Sequence, residues 1–254
     1  MLAATLGAAT VRSSGIAEGQ SLSDGNQIRA IAFDGFVIFD PRGVAQRAEE
    51  VIPGRGTEFT NLWRTRQFEY TWLRTVGNQY VDFWQVTEEA LRYTATSLKL
   101  SLSVEQRDRL MSIFRTLPTW PDVPAGLAEL RRRGIRMAFL SDFTAAMLDA
   151  NLETAKLREY FEPHLTTDRV RAYKPSPKAY QMGPEAFRLK REEIAFAAFG
   201  AWDASGSKWF GYPTVWVNRL NVPVEELGVR PDVITPDLSG LLEFAGTSAR
   251  RGSR

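Results

Sequence analysis

An apolar run, Ile28-Arg29-Ala30-Ile31-Ala32-Phe33, stops abruptly at Asp34-Gly35. A parallel strand buried on both faces reads as such a run. In open α/β sheets the ligand crevice lies beyond the carboxyl ends of the strands, so Asp34 is presented there as a nucleophile. The same pair of residues also suits the start of a turn. Three further polar groups fall where later apolar runs end: Ser141 with Asp142, Lys174, and Asp203. A lysine beside a carboxylate favours its ionised form, which would keep Asp34 ready to attack. Lys174 is weighed against an ordinary exposed lysine. Asp203 is read as a partner of Lys174 or as the N-cap of a helix beginning near Ala204. Ser141 offers a hydroxyl to a substrate oxyanion or caps the next helix.

The elements that must position these groups follow from periodicity. After the first strand, residues 43–117 show helical patterns and no strand, with helices expected over 57–80, 87–98 and 103–117. A helix over 121–133 stops at Gly134. Strands follow at 135–141, 165–167, 194–199, 214–218 and 232–234, separated by stretches of helical length. That alternation implies an α/β fold, a Rossmann-like parallel sheet core with a helical cap inserted after the first strand. The expected domains are a core of residues 27–43 and 118–246, a cap of residues 44–117, a flexible extension over 1–26 and a disordered tail over 247–254. Entering the chain directly after Asp34, the cap is placed to roof the site.

Composition narrows the chemistry. The 254 residues contain no cysteine, which excludes disulfides, thiolate metal sites and a cysteine nucleophile. The single histidine, His164, excludes a histidine metal cluster and reads as a loop or edge residue. Lys plus Arg number 32 against 30 Asp plus Glu, a shallow excess that does not indicate a nucleic-acid partner. The Arg131-Arg132-Arg133 run reads as a solvated last helical turn. No apolar run approaches the roughly 20 residues of a membrane span, and no glycine-rich phosphate loop is present. A cytoplasmic location is expected, or a periplasmic one if the Ala-rich N-terminus is a truncated export signal.

The order strand-Asp34, helical block, Leu140-Ser141, Tyr173-Lys174-Pro175 and Ala201-Trp202-Asp203 resembles the haloacid dehalogenase superfamily. Within it, Leu62-Trp63-Arg64 with the stretch 67–74, and Phe210-Gly211-Tyr212-Pro213-Thr214 with Val217-Asn218-Arg219, resemble the L-2-haloacid dehalogenases. The resemblance implies a hydrolase that needs no cofactor and no metal. Asp34 would displace halide from a short 2-haloacid and form an aspartyl ester, which water hydrolyses to the 2-hydroxy acid. It implies that Arg64 steadies the halide, Ser141 binds the substrate carboxylate, Lys174 holds Asp34 ionised, and Asp203 orients Lys174 and water. Tyr180 matches a supporting tyrosine and is counted among the substrate-binding residues. Phe36, Phe68, Phe83 and Trp202 are expected to wall the substrate, with Asp142 beside them, and a homodimer through helical surfaces is suggested.

Several positions depart from that pattern. Superfamily phosphatases carry a second Asp two positions after the nucleophile, where this chain has Phe36, so phosphoryl chemistry is not expected. The nucleophile loop is one residue short, with Phe36-Val37-Ile38 in place of Tyr-Gly-Thr. Asp142 replaces an Asn, and its charge would repel halide unless paired, for instance with Arg64, or protonated. Ala198 and Gly200 replace a Ser and an Asn that help support the lysine and place hydrolytic water. A member that has lost turnover and binds a small carboxylate is therefore the alternative reading, and a phosphatase with an unusual metal arrangement a third.

Overall fold

In the computed structural model, residues 27–251 are described. The extension expected over 1–26 and residues 252–254 lie outside them. Six parallel strands, β1 (Ala30–Phe33), β2 (Arg136–Ser141), β3 (Leu165–Thr166), β4 (Ile194–Ala198), β5 (Thr214–Val217) and β6 (Val233–Thr235), form one sheet in the order β3-β2-β1-β4-β5-β6. The chain winds outward in both directions from β1, so the reversal of strand order falls between β1 and β4. Ligands of doubly wound sheets bind beyond the carboxyl ends of the strands at such a reversal.

Both faces of the sheet are buried, and the two-residue period of β1 divides its side chains between them. Ile31 and Phe33 enter a large apolar cluster with Phe139 and Val215, whereas Ala30 and Ala32 face a second cluster with Leu140, Tyr180 and Trp216. Helices α6 (Val123–Arg132) and α10 (Leu238–Arg251) pack on the first side, and α8 (Pro177–Phe187) on the second. Helix α7 (Ala145–Ala155) follows β2, and α9 (Ala201–Phe210) follows β4. A single turn of helix, α1 (Gly35–Ile38), follows β1, and then come α2 (Arg42–Val51), α3 (Gly56–Val76), α4 (Phe83–Ser97) and α5 (Val104–Ser112). Trp63 of α3 anchors that block, its ring against Phe59 at 5.8 Å and Phe114 at 5.4 Å.

The elements differ from expectation where local caps prevail over periodicity. Helix α3 ends at Val76 rather than residue 80, because Gly77 terminates it and Asn78 adopts a φ of 53°. Helix α4 begins four residues early, since the Asp82 carboxylate accepts the Gln85 N–H and caps it. The helix expected over 103–117 opens on a Ser103–Gln106 capping box but tightens at Ile113–Arg115, where Asn151 takes the Phe114 carbonyl and the Leu117 N–H. Helix α10 continues through Arg251, into the tail expected from residue 247. Among the described residues no helix is long and apolar enough to cross a membrane.

Candidate active site

Lys174 stands at the centre of the strand ends. Its Nζ lies 2.7 Å from Asp34 Oδ1 and 2.6 Å from Asp203 Oδ2, and its side chain is 1% exposed. Lysine is almost never fully buried unless paired. Asp34 also caps α1, its Oδ2 accepting the Phe36 N–H at 3.0 Å, so the turn reading and the paired-carboxylate reading hold together. Of the two readings of Asp203, the partner of Lys174 holds and the N-cap does not. Gly200 occupies that position, and Asp203 lies within the first turn of α9. Its Oδ1 accepts the Tyr180 hydroxyl at 2.6 Å.

The lysine is seated from two sides. Tyr173 donates its N–H to Thr75 Oγ1 at 3.0 Å and its hydroxyl to the Val81 carbonyl at 2.6 Å, tying the segment before Lys174 to the helical block. Tyr80 of that block donates to Asp168 at 2.7 Å. On the other side, a Cβ at Gly206 would come within 2.6 Å of both Pro175 Cβ and the Tyr180 hydroxyl. Glycine alone lets α9 approach this closely.

Burial and charge set the protonation of the cluster. Burial by itself would strip the Lys174 proton, but Asp203, Asp34 and Asp142 outweigh it and hold the ammonium above the usual lysine range. Burial raises the Asp203 carboxyl, with Lys174 opposing. The Tyr180 hydroxyl is pushed well above its usual range, first by burial and then by Asp203, and remains a donor. Asp142 is lifted to about 7, mainly by burial, with Lys174 lowering it and Asp203 and Asp34 raising it.

A cavity of about 640 Å³ opens in front of these groups, between the strand ends and the helical block. Asp34, Phe36, Arg64, Phe68, Phe83, Ser141, Asp142, Trp202 and Asp203 all line it. Lys174 and Tyr180 do not; they stand behind Asp34 and Asp203. Tyr180, expected among the substrate-binding residues, therefore reaches the cavity only through Asp203. Asp142 does not pair with Arg64: its Oδ1 accepts the Lys174 N–H at 3.1 Å. The Arg64 side chain is exposed and has no ion pair among the described residues. Ser141 accepts the Phe143 N–H at 3.1 Å, whereas Thr144 caps α7, so the capping alternative for Ser141 is not realised. His164 sits apart, its Nε2 3.0 Å from Asp149.

Some wall residues have no sequence signal beyond that of ordinary core. The Phe143 ring meets Phe36 edge-on at 5.0 Å and stacks on Phe83 at 5.6 Å, and Phe199 lies 5.6 Å from Phe36. Gln67, the first residue of the stretch 67–74 singled out in the sequence, is buried and donates to Thr87 at 2.6 Å. Glycine after Asp34 was a readable clue: a Cβ at Gly35 would lie 3.1 Å from Ser141 Oγ. At Gly200 a Cβ would fall 2.8 Å from Trp202 Nε1, so the indole covers the space where the resemblance has an Asn side chain.

Residues 28–211 match the family described as haloacid dehalogenase-like hydrolase. An (S)-2-haloacid dehalogenase of Pseudomonas sp. (strain YL) is 40% identical over 228 residues, 89% of this chain and 98% of that protein. A crystal structure of an L-2-haloacid dehalogenase superposes with a TM-score of 0.84 at 37% identity, covering 87% of this chain and 99% of the other. The Xanthobacter autotrophicus L-2-haloacid dehalogenase with chloropropionic acid covalently bound gives a TM-score of 0.80 at 30% identity, covering 86% and 98%.

Proposed function

The chain belongs to the haloacid dehalogenase-like hydrolase family, and from that premise we propose how its own residues act. It is a hydrolase of carbon–halide bonds that converts short 2-haloacids to 2-hydroxy acids through an aspartyl ester. The observation that carries this reading is the line Asp34–Lys174–Asp203, with spacings of 2.7 and 2.6 Å, at a predominantly apolar cavity with an aromatic wall that also contains Arg64. The substrate carboxylate lies at Ser141, and Arg64 draws the halide. Asp34 attacks C2 from the opposite side; the carbon–halogen bond breaks and halide leaves without a proton. Aromatic walls exclude water from the ion pair, which strengthens it. Water then attacks the ester carbonyl of Asp34 and the C2 oxygen departs as the hydroxyl. Lys174 polarises that carbonyl, and Asp203, held by Tyr180, aligns both Lys174 and the water. Asp34→Asn removes the nucleophile, so chloride release from L-2-chloropropionate falls to background; persisting release would place the nucleophile elsewhere.

One observation favours the alternative of a member that has lost turnover and binds a small carboxylate. Ala198 and Gly200 supply no side-chain polar group, and Trp202 covers the space above Gly200. We place the cap at residues 44–117. Its helix α3 exposes Leu73 (65%) and Val76 (85%), the apolar surface proposed for a homodimer and testable by sedimentation. No nucleic acid takes part in this reading. The cytoplasm, or a periplasm reached through an export signal, is the proposed location, which fractionation tests.

A further inference from the structure

One cation serves three carboxylates at the strand ends. Lys174 Nζ is paired with Asp34 and Asp203, while Asp142, 5% exposed, receives only the Lys174 backbone N–H at 3.1 Å and has no ion pair among the described residues. The charged and titratable groups facing Asp142 are Asp34 from the end of β1, Lys174 and Tyr173 from the segment before α8, Tyr180 from α8, Asp203 from α9, and Tyr80 from the loop before α4. Burial pushes the three phenols above the ordinary tyrosine range, so they stay neutral. With Asp142 ionised, the buried cluster carries two more negative charges than positive ones. A small carboxylate entering the same cavity adds a third where screening by water is weak. Arg42, which also lines the cavity, is paired with Asp40, which leaves Arg64 as the unpaired cation on that wall among the described residues.

We propose that Asp142 is the proton-holding group that lets this cavity accept an anion: the site binds a small carboxylate together with one proton carried on Asp142. This rests on the haloacid reading of the same cavity and adds a role for the position where the resembling enzymes have Asn. The proton is already in place below neutrality and has to be taken up above it. By linkage, affinity for the anion then falls about tenfold for each pH unit on the alkaline side. The loss appears in KM and leaves kcat unchanged, because a bound substrate has already drawn in the proton. Asp142→Asn has the same shape without the charge, so its affinity does not change with pH.

Propionate is the probe, since it has the substrate's carboxylate and no leaving group. The full chain is titrated with it from about pH 5 to about pH 9, following the fluorescence of Trp63, Trp72 and Trp202 on the cavity wall. The wild type should show a flat Kd at acid pH and the tenfold slope above neutrality; Asp142→Asn should be flat throughout. Calorimetry of the wild type at alkaline pH, in two buffers of different ionisation enthalpy, should count nearly one proton taken up per propionate bound. That count stands even if the variant fails to fold. A pH-independent wild-type Kd, a slope that survives in the variant, or a proton count near zero overturns the proposal. Failure of propionate to bind at any pH also overturns it, and chloride release from L-2-chloropropionate then decides separately whether the dehalogenase reading stands.

Discussion

Removing the ammonium of Lys174 would leave Asp34 and Asp203 facing one another without a cation, in a position where its side chain is 1% exposed. Breaking a buried pair from one side typically costs about 3–5 kcal/mol. Lys174→Met should therefore lose roughly that much stability in urea titration, along with all halide release; a variant as stable as the wild type would mean that the pairing is not structural. Asp142 makes a prediction of opposite kind. Its carboxyl is raised to about 7 in the fold from about 4 in an unfolded chain. The fold therefore holds the proton more tightly, and the associated stability is complete at acid pH and is lost as pH rises through 7. Asp142→Asn should melt above the wild type at alkaline pH, with the gap closing toward about pH 4; a gap independent of pH would contradict the shift. At this scale the sequence was readable where chemistry coincides with strand ends, as at Asp34, Lys174 and Asp203. It was mute at Phe143 and Phe199, whose places on the wall arise only when distant segments meet. The partner of Asp142 could not be read either, because it is a backbone N–H supplied 32 residues away.

Helix α9 approaches α8 closely enough that Gly206 has no room for a methyl group. Overpacking a fitted interior costs about 1–3 kcal/mol. Gly206→Ala should lower stability by that order. Because the displaced atoms are Pro175 and the Tyr180 hydroxyl, it should also reduce kcat more than KM; a purely thermal effect would show that the brace behind Lys174 tolerates movement. Two of the elements around the site differ from their periodic reading for local reasons: the Asp82 cap moves the start of α4, and Asn78 at positive φ ends α3. Both signals are present in the chain, but a reading by apolar periodicity passes over them, and in the fold they prevail. Strands β1 and β4 were more legible, since burial on both faces leaves an unbroken apolar run at each.

At the scale of the whole molecule, the strand order places the reversal between β1 and β4, which brings Asp34 and Asp203 to the two sides of one crevice. Alternation of helix and strand implies such a sheet but not which strand is central. Nor does it give the ties between the core and the helical block, which Tyr173 makes to Val81 and Tyr80 makes to Asp168. Chemistry carried wholly by these side chains requires no metal, so a chelator should leave turnover unchanged, and restoration of activity by magnesium would revive the phosphatase reading. The central claim is displacement at Asp34 followed by hydrolysis. Incubation with L-2-chloropropionate in chelator, with chloride and intact protein mass followed together, tests it most directly. Many chlorides per chain with no lasting mass change is the expected result. A single chloride per chain with a persistent mass increase would show ester formation without hydrolysis, and the absence of both signals would contradict the account.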